Sequence, residues 1–263
     1  MEKISSFGEQ LRSWRQHRHL SQLDLAAEVD ISTRHLSFVE TGRSQPSRAM
    51  VLRLAEQLNV PYRERNALLV AAGFAPMYPA RPLSDPALSP ARAAVELILS
   101  GHEPYPALLV DRHWNLLAAN RSVGPFLVGL DESLTQPPAN GLRMTLHPKG
   151  LAPRIENLAQ WRAHLLSRVQ RDLELTADPI LAELLQELRT YGPPAPEDHS
   201  DLQVPDVVVP LKLRTEVGVL SFFTTTTVFG TAIEVTLSEL MLEAFYPADE
   251  ATAQALRSMA PAR

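Results

Sequence analysis

Residues 20–42, LSQLDLAAEVDISTRHLSFVETG, decide how the first third of the chain folds. Leu20-Ser21-Gln22-Leu23-Asp24-Leu25 places a hydroxyl at a helix start, with Leu20 and Leu25 at the two positions of a hydrophobic staple. Ile31-Ser32-Thr33-Arg34-His35-Leu36 repeats the device, with Ser32 as cap and Ile31 and Leu36 as staple. Two short capped helices one tight turn apart are therefore expected. The second stops at Glu40-Thr41-Gly42, because glycine takes the left-handed conformation most easily. This is the layout of a helix-turn-helix, whose second helix enters the major groove of DNA.

Upstream, Phe7, Leu11 and Trp14 recur at i, i+4, i+7 and predict a helix ending near His17. Downstream, Pro46-Ser47 opens a helix carrying Val51, Leu54, Ala55 and Leu58. Val60-Pro61 then breaks the chain before a fifth helix, Tyr62 to about Ala72, closed by Gly73. Residues 1–75 are thus expected to form an all-α domain. The following segment, PMYPARPLSDPALSP (76–90), holds five prolines and reads as a semi-rigid linker.

The whole chain has 263 residues, 45% hydrophobic and 21% charged, which is ordinary globular composition with room for a second domain over residues 91–263. Cysteine is absent, which excludes disulfides, thiolate nucleophiles and Cys-ligated metals. The start MEKISSFGEQ lacks the apolar core of a signal peptide, and no run approaches the roughly 18 apolar residues of a membrane span. A cytoplasmic protein without membrane insertion is expected. The net charge of −5 divides unevenly, +2 on residues 1–75 and −7 on the rest, which is consistent with a nucleic-acid module on an acidic body.

The second region begins with a helix over about Ala91–Leu99. Two strands follow, Ala107–Asp111 and Trp114–Asn120, joined at Arg112-His113. Helices follow along Ile155, Leu158, Trp161, Leu165, Val169 and Leu173, and again after Asp178-Pro179. Strands are expected at Asp206–Leu213, Glu216–Thr227 and Thr231–Leu237, with turns at Gly218 and Gly230. A helix is expected from about Ser238 to Phe245, and another after Asp249. The order fits an antiparallel sheet with helices on one face, an α+β, PAS-like domain.

Within the helix-turn-helix, burying Leu36 and Val39 turns Arg34, Ser37, Phe38 and Thr41 outward, with Thr33 and His35 on the flanks. Arg34 can bond a guanine bidentately, Ser37 either base type, and Phe38 a thymine methyl, unless Phe38 packs against Trp14 or a neighbouring helix. Gln22, Arg43, Ser44, Ser47 and Arg48 are candidates for phosphate contacts, Ser47 doubling as a helix cap. Glu40 is expected to pair with Arg12 or Arg15 in a structural role.

Leu11-Arg12, Leu20-Ser21-Gln22, Leu25-Ala26, Ile31-Ser32, Leu36-Ser37, Val39 to Gly42, Pro46-Ser47 and Leu54-Ala55 resemble the xenobiotic-response-element (XRE) helix-turn-helix regulators related to λ repressor and Cro. That resemblance implies sequence-specific binding of double-stranded DNA, usually as a homodimer on palindromic half-sites. A narrower resemblance, to the MmyB-like regulators, rests on Thr33–Arg43, Arg63 to Asn66 with Ala71 to Pro76, Trp114-Asn115, Asn120, Leu142-Arg143, Leu146 to Pro148, Val228 to Thr231 and Phe245 to Asp249. Ala232-Ile233-Glu234 departs from the Pro-Leu-Asp of that group. The resemblance implies a PAS-like pocket for a small molecule, with fatty acids as the ligand class.

A pocket between sheet and helices suits an acyl chain, each buried CH₂ contributing about 0.8 kcal/mol while a cation fixes the carboxylate. Candidate lining residues are Phe126, Leu127, Met144, Leu146, Trp161, Leu165, Phe222 and Phe229, with Arg143 and His147 as carboxylate partners. No cofactor is required. PAS-like folds can hold haem or flavin, and His147 and His164 are candidate axial ligands, but nothing in the sequence selects a cofactor. An enzyme acting on an acyl substrate and an antitoxin-like partner-binding regulator are the rival readings, although no GxSxG, HExxH, Walker A or GxGxxG pattern occurs.

Overall fold

A computed structural model describes residues 5–192, 209–229 and 233–259. The chain forms two compact units, the first built mainly on residues up to Arg81, with Asp172–Ala177 grouped with it, and the second on most of the remainder from Pro82.

The described residues of the first unit form five helices: α1 (Phe7–His17), α2 (Gln22–Glu28), α3 (Thr33–Glu40), α4 (Arg48–Gln57) and α5 (Tyr62–Ala71). Ser6, Ser21, Ser32 and Ser47 cap the first four, each side chain accepting a backbone N–H three residues on. Every helix ends in the same way. His19, Asp30, Gly42, Asn59 and Gly73 adopt positive φ two residues beyond the last helical residue. The next N–H then bonds back to a carbonyl five residues earlier, as Leu20 does to Arg15, Ile31 to Ala26, Val60 to Ala55 and Phe74 to Leu69. Leu20, Ile31 and Phe74 also pack against the core of Leu11, Leu25, Leu36, Leu54 and Leu69. A Cβ on Gly8 would lie 2.3 Å from the Glu40 carbonyl oxygen, so α1 crosses the end of α3 at a distance only glycine permits. The proline-rich stretch starts out packed on α5: the Asn66 amide bonds the backbone of Met77 and Tyr78, and Tyr78 stacks on Tyr62 at 4.5 Å.

The second unit opens with α6 (Ser89–Gly101), β1 (Ala107–Val110) and β2 (Leu116–Ala119). Three short helices follow, α7 (Gly124–Leu127), α8 (Glu132–Thr135) and α9 (Gly141–Leu146), then the long α10 (Leu158–Thr176) and α11 (Pro179–Thr190). The chain closes with β3 (Leu211–Thr215), β4 (Gly218–Val228), α12 (Val235–Ser238), β5 (Met241–Pro247) and α13 (Glu250–Met259). The antiparallel sheet has the order β2-β1-β5-β4-β3.

Four expectations are corrected. Ser238–Phe245 is not a helix, because Met241–Pro247 forms β5 at the centre of the sheet, hydrogen-bonded to β1 and β4. Leu-Glu-Ala is a helix-forming composition that two neighbouring strands override. The strand expected over Thr231–Leu237 is instead α12 from Val235 onward, and Gly230 and Thr231 lie outside the described residues. The third sheet segment begins at Leu211, residues 206–208 also lying outside the described set. Finally, helices cover both faces of the sheet. Val95 and Leu99 of α6 pack on Ala107, Leu109, Leu242 and Ala244. The opposite register positions, Leu108, Phe222, Thr224, Glu243 and Phe245, face a cavity.

Candidate nucleic-acid interface and apolar cavity

Leu36, Val39 and Glu40 are the buried positions of α3, which leaves Arg34 exposed and Thr33, His35, Ser37 and Phe38 half-buried along its other side. The Phe38 ring lies beneath two guanidinium groups, Arg34 Cζ at 5.3 Å and Arg43 Cζ at 6.0 Å from the centroid. Both distances are within reach of a cation–π contact, so Phe38 holds two cations over the outward face of the helix. The Phe38 carbonyl accepts the N–H groups of Arg43 and Ser44, fixing the loop to the end of α3. Ser47 is a cap, accepting the Met50 N–H at 3.2 Å, and Arg48 is exposed in the first turn of α4.

Gln22 is placed differently from a backbone-facing phosphate donor. Its amide donates to Glu40 Oε2 at 2.7 Å, joining a buried network in which Arg15 Nε and Nη2 donate to the same carboxylate at 2.6 and 3.0 Å. Arg15, and not Arg12, is the partner, and a third donor, Nη1, reaches the Leu20 carbonyl. The hydrogen bond to Glu40 raises the Arg15 pKa above its ordinary value. One carboxylate thereby ties α1, α2 and α3 together.

In the second unit a cavity of about 110 Å³ lies between the sheet, α9 and α10. For scale, an engineered cavity of roughly 150 Å³ takes up benzene. Of the residues named from the sequence, Phe126, Leu127, Met144, Trp161, Leu165 and Phe222 line it. Four other proposed residues do not. Leu146 is buried elsewhere in the core, and Phe229 packs with the α6 side of the sheet. Arg143 is bonded bidentately to Glu187 of α11 at 2.8 and 2.6 Å, with the Tyr191 hydroxyl donating to the same carboxylate. The Arg143 hydrogen bonds hold Glu187 below the usual carboxylate range, while burial and Glu187 push Tyr191 up to about 12. His147 packs edge-on against Tyr191, and its Nδ1 accepts the Lys149 N–H. His164 lies outside the cavity wall as well. It stacks on Trp161, and burial, reinforced by Arg168 and Arg171, lowers its pKa.

The charged groups that do line the cavity are Arg168 and Glu243. Arg168 Nη1 and Nη2 donate to Glu243 at 3.0 and 2.6 Å. Nη2 also donates to the Thr226 hydroxyl, which in turn donates to Glu243. The guanidinium lies 4.5 Å from the Trp114 ring centroid. Sequence reading missed both, although each carried a signal. Arg168 falls seven residues after Trp161 and three after Leu165, a cation on an apolar stripe. Glu243 is a lone acid in the run Leu240–Phe245.

Trp114 reaches the cavity from the turn between β1 and β2 with φ +67°, a conformation bulky residues avoid. The surrounding bonds enforce it. Trp114 N–H bonds the Asp111 carbonyl, its own carbonyl accepts the Gly141 N–H, and the Asn140 amide donates to the His113 carbonyl. His113 and Arg112 both contact Asp178, which caps α11. Burial opposes ionisation of Asp178, yet His113, the Ile180 N–H and Arg112 together outweigh it and hold the carboxyl below its ordinary value.

Among the described residues no helix is long and apolar enough to cross a membrane, and no cluster of three His, Asp or Glu side chains is placed to hold a metal. Residues 11–65 match the helix-turn-helix family model. The chain is 39% identical over 72 residues to the HTH-type transcriptional repressor RghR of Bacillus subtilis (strain 168), covering 27% of this chain and 51% of that protein. It is also 39% identical over 77 residues to the uncharacterized HTH-type transcriptional regulator RghRB of the same organism, covering 29% and 53%. The chain spans about half the length of these curated relatives. The families matched are those of regulators, not of enzymes. Residues 91–259, the larger part of the chain, match the model for the MmyB-like transcription regulator ligand binding domain, and the chain therefore belongs to the MmyB-like transcription regulators.

Proposed function

We propose that this chain is a ligand-responsive transcription regulator that binds double-stranded DNA through α3 as a homodimer and holds one small apolar molecule, of the fatty-acyl class, in its second unit. The observation that carries the reading is one chain joining a recognition helix with Arg34 and Arg43 mounted on Phe38 to a cavity whose walls are almost entirely apolar. Half-sites about 34 Å apart, one helical turn, would suit two such helices. No catalytic step is assigned, and the protein works in the cytoplasm.

Native mass spectrometry of the gently purified full chain is expected to show a dimer carrying about one small apolar molecule per protomer, released on denaturation. A monomer without one, or tight co-purification with a second polypeptide, would sink the reading in favour of a partner-binding regulator. Once a preferred duplex has been selected from a random pool, Arg34→Ala should weaken binding to it by about 1–3 kcal/mol and relax preference at one base position. Arg48→Ala should weaken all duplexes alike and lower the slope of log affinity against log salt by about one. Equal specific binding by wild type and Arg34→Ala would remove α3 as the reading helix.

A further inference from the structure

Arg168, which lines the cavity beside Glu243, keeps hydrogen-bond donors in reserve. A guanidinium carries five N–H groups. Arg168 engages three of them, two with Glu243 and one with the Thr226 hydroxyl, so its Nε–H and one N–H of Nη1 have no partner among the described residues. These donors are not sealed in. The unpartnered buried side-chain atoms of the described residues include the ring nitrogens of Trp114 and Trp161 but no atom of Arg168, whose side chain is 15% exposed. One edge of the guanidinium is therefore open to a further acceptor while the ion pair stays in place.

Charge balance sets the form in which an acid can use that edge. The pair is neutral, and no other lining residue among those described carries a charge. A bare carboxylate would put a second negative charge beside Glu243 with a single cation for both. Two carboxyl groups that share one site do not both ionise, and one of them holds a proton. The elements around Glu243 supply no substitute for that proton. Its register partners are Leu108 on β1 and Thr226 on β4. On α10, His164 is within reach of the charges of Glu243, Arg168 and Arg171, and burial with the two arginines lowers its pKa, so it is neutral at mildly alkaline pH. Neither His164 nor Arg171 lines the cavity.

We propose that the head group of the ligand is a carboxyl that binds together with one proton from solvent, shared between it and Glu243 while Arg168 donates to both. This rests on the apolar-ligand reading above and adds the ionisation state of its head group. The complex then holds one proton more than the free protein and free acid anion. The regulator would read acid concentration and pH together, the same amount of acid filling fewer cavities as pH rises.

The test is isothermal titration calorimetry of the full chain with octanoate near pH 7.5, in HEPES and in Tris, whose heats of ionisation differ, and then across about pH 6.5 to 8.5, where free octanoate is ionised. The wild type is expected to take up about one proton per octanoate, and its affinity to fall about tenfold per pH unit. Glu243→Gln, which leaves Arg168 without its counter-charge, should bind octanoate with no proton uptake and with nearly constant affinity across the range. His164→Gln should keep the wild-type uptake. Octanoate binding to the wild type without proton uptake overturns the proposal and leaves the apolar-ligand reading intact. So does uptake that persists in a folded Glu243→Gln or vanishes in a folded His164→Gln, and so does binding of octanol but not of octanoate. Binding of neither compound overturns both. If Glu243→Gln does not fold, the proton count of the wild type decides alone.

Discussion

Arg168→Met is expected to lower the stability of the second unit by about 3–5 kcal/mol, the cost of leaving one member of a buried ion pair without the other. Glu243 has a short side chain, 5% exposed, at the middle of the central strand, and cannot swing its carboxylate into water. Thr226 would remain as a single hydroxyl donor to it. The reverse change should be milder. In Glu243→Leu the longer Arg168 side chain, already 15% exposed and stacked on Trp114, can carry its charge outward along its methylene stem. Hydrogen-exchange mass spectrometry on peptides covering β5 and α10 reads the difference locally, without assuming that two units unfold as one. Equal losses for the two single variants would contradict the asymmetry. The double variant Arg168→Met with Glu243→Leu should recover most of the loss, since apolar replacement of a whole buried pair is often neutral.

Glu40→Ala should cost the first unit a similar 3–5 kcal/mol by the same principle, with a different consequence. The Glu40 side chain is 1% exposed and accepts from Arg15 and Gln22, so its removal strands a guanidinium 9% exposed and cuts the tie among α1, α2 and α3. Amide protection in α1 and α3 should fall roughly a hundred- to several-thousandfold, while α10 and β5 keep theirs. On the proposed reading, DNA binding should fall with it although the Glu40 side chain is only 1% exposed, because α3 loses its backing. Protection unchanged in α3 would show that the apolar contacts of Leu36 and Val39 suffice to hold it.

The parts of this molecule legible in its sequence are those fixed by neighbours along the chain. Ser21 and Ser32 cap because their hydroxyls meet an N–H three residues away, and Gly42 and Gly73 end helices within one turn. β5 was misread because Leu240–Phe245 is built of residues that suit either state, and what makes it a strand is β1 on one side and β4 on the other. The same limit divided the cavity. Of its apolar wall, Trp161 and Leu165 lie on a stripe at helical spacing, while Phe126, Leu127, Met144 and Phe222 were named only as candidates for the pocket that the family resemblance implies. Arg143 looked like the available cation because Glu187, distant in sequence, is invisible as its partner, and the pairing of Arg168 with Glu243 depends on a strand that had not been recognised.

The register of the sheet also sets an order of events during synthesis. Val110 in β1 pairs with Met241 in β5, about half the chain further on, whereas the helices of the first unit are closed by bonds spanning a few residues. Local contacts form fast, and distant ones wait for the chain that supplies them. The helix-turn-helix can therefore be complete while β5 is still being made, and at that stage Leu108 and Phe222 have no central strand between them. A nascent chain would have a finished DNA-reading unit before it had any cavity to sense with, and its half-built sheet would offer open strand edges to whatever chaperone or neighbouring chain arrived first.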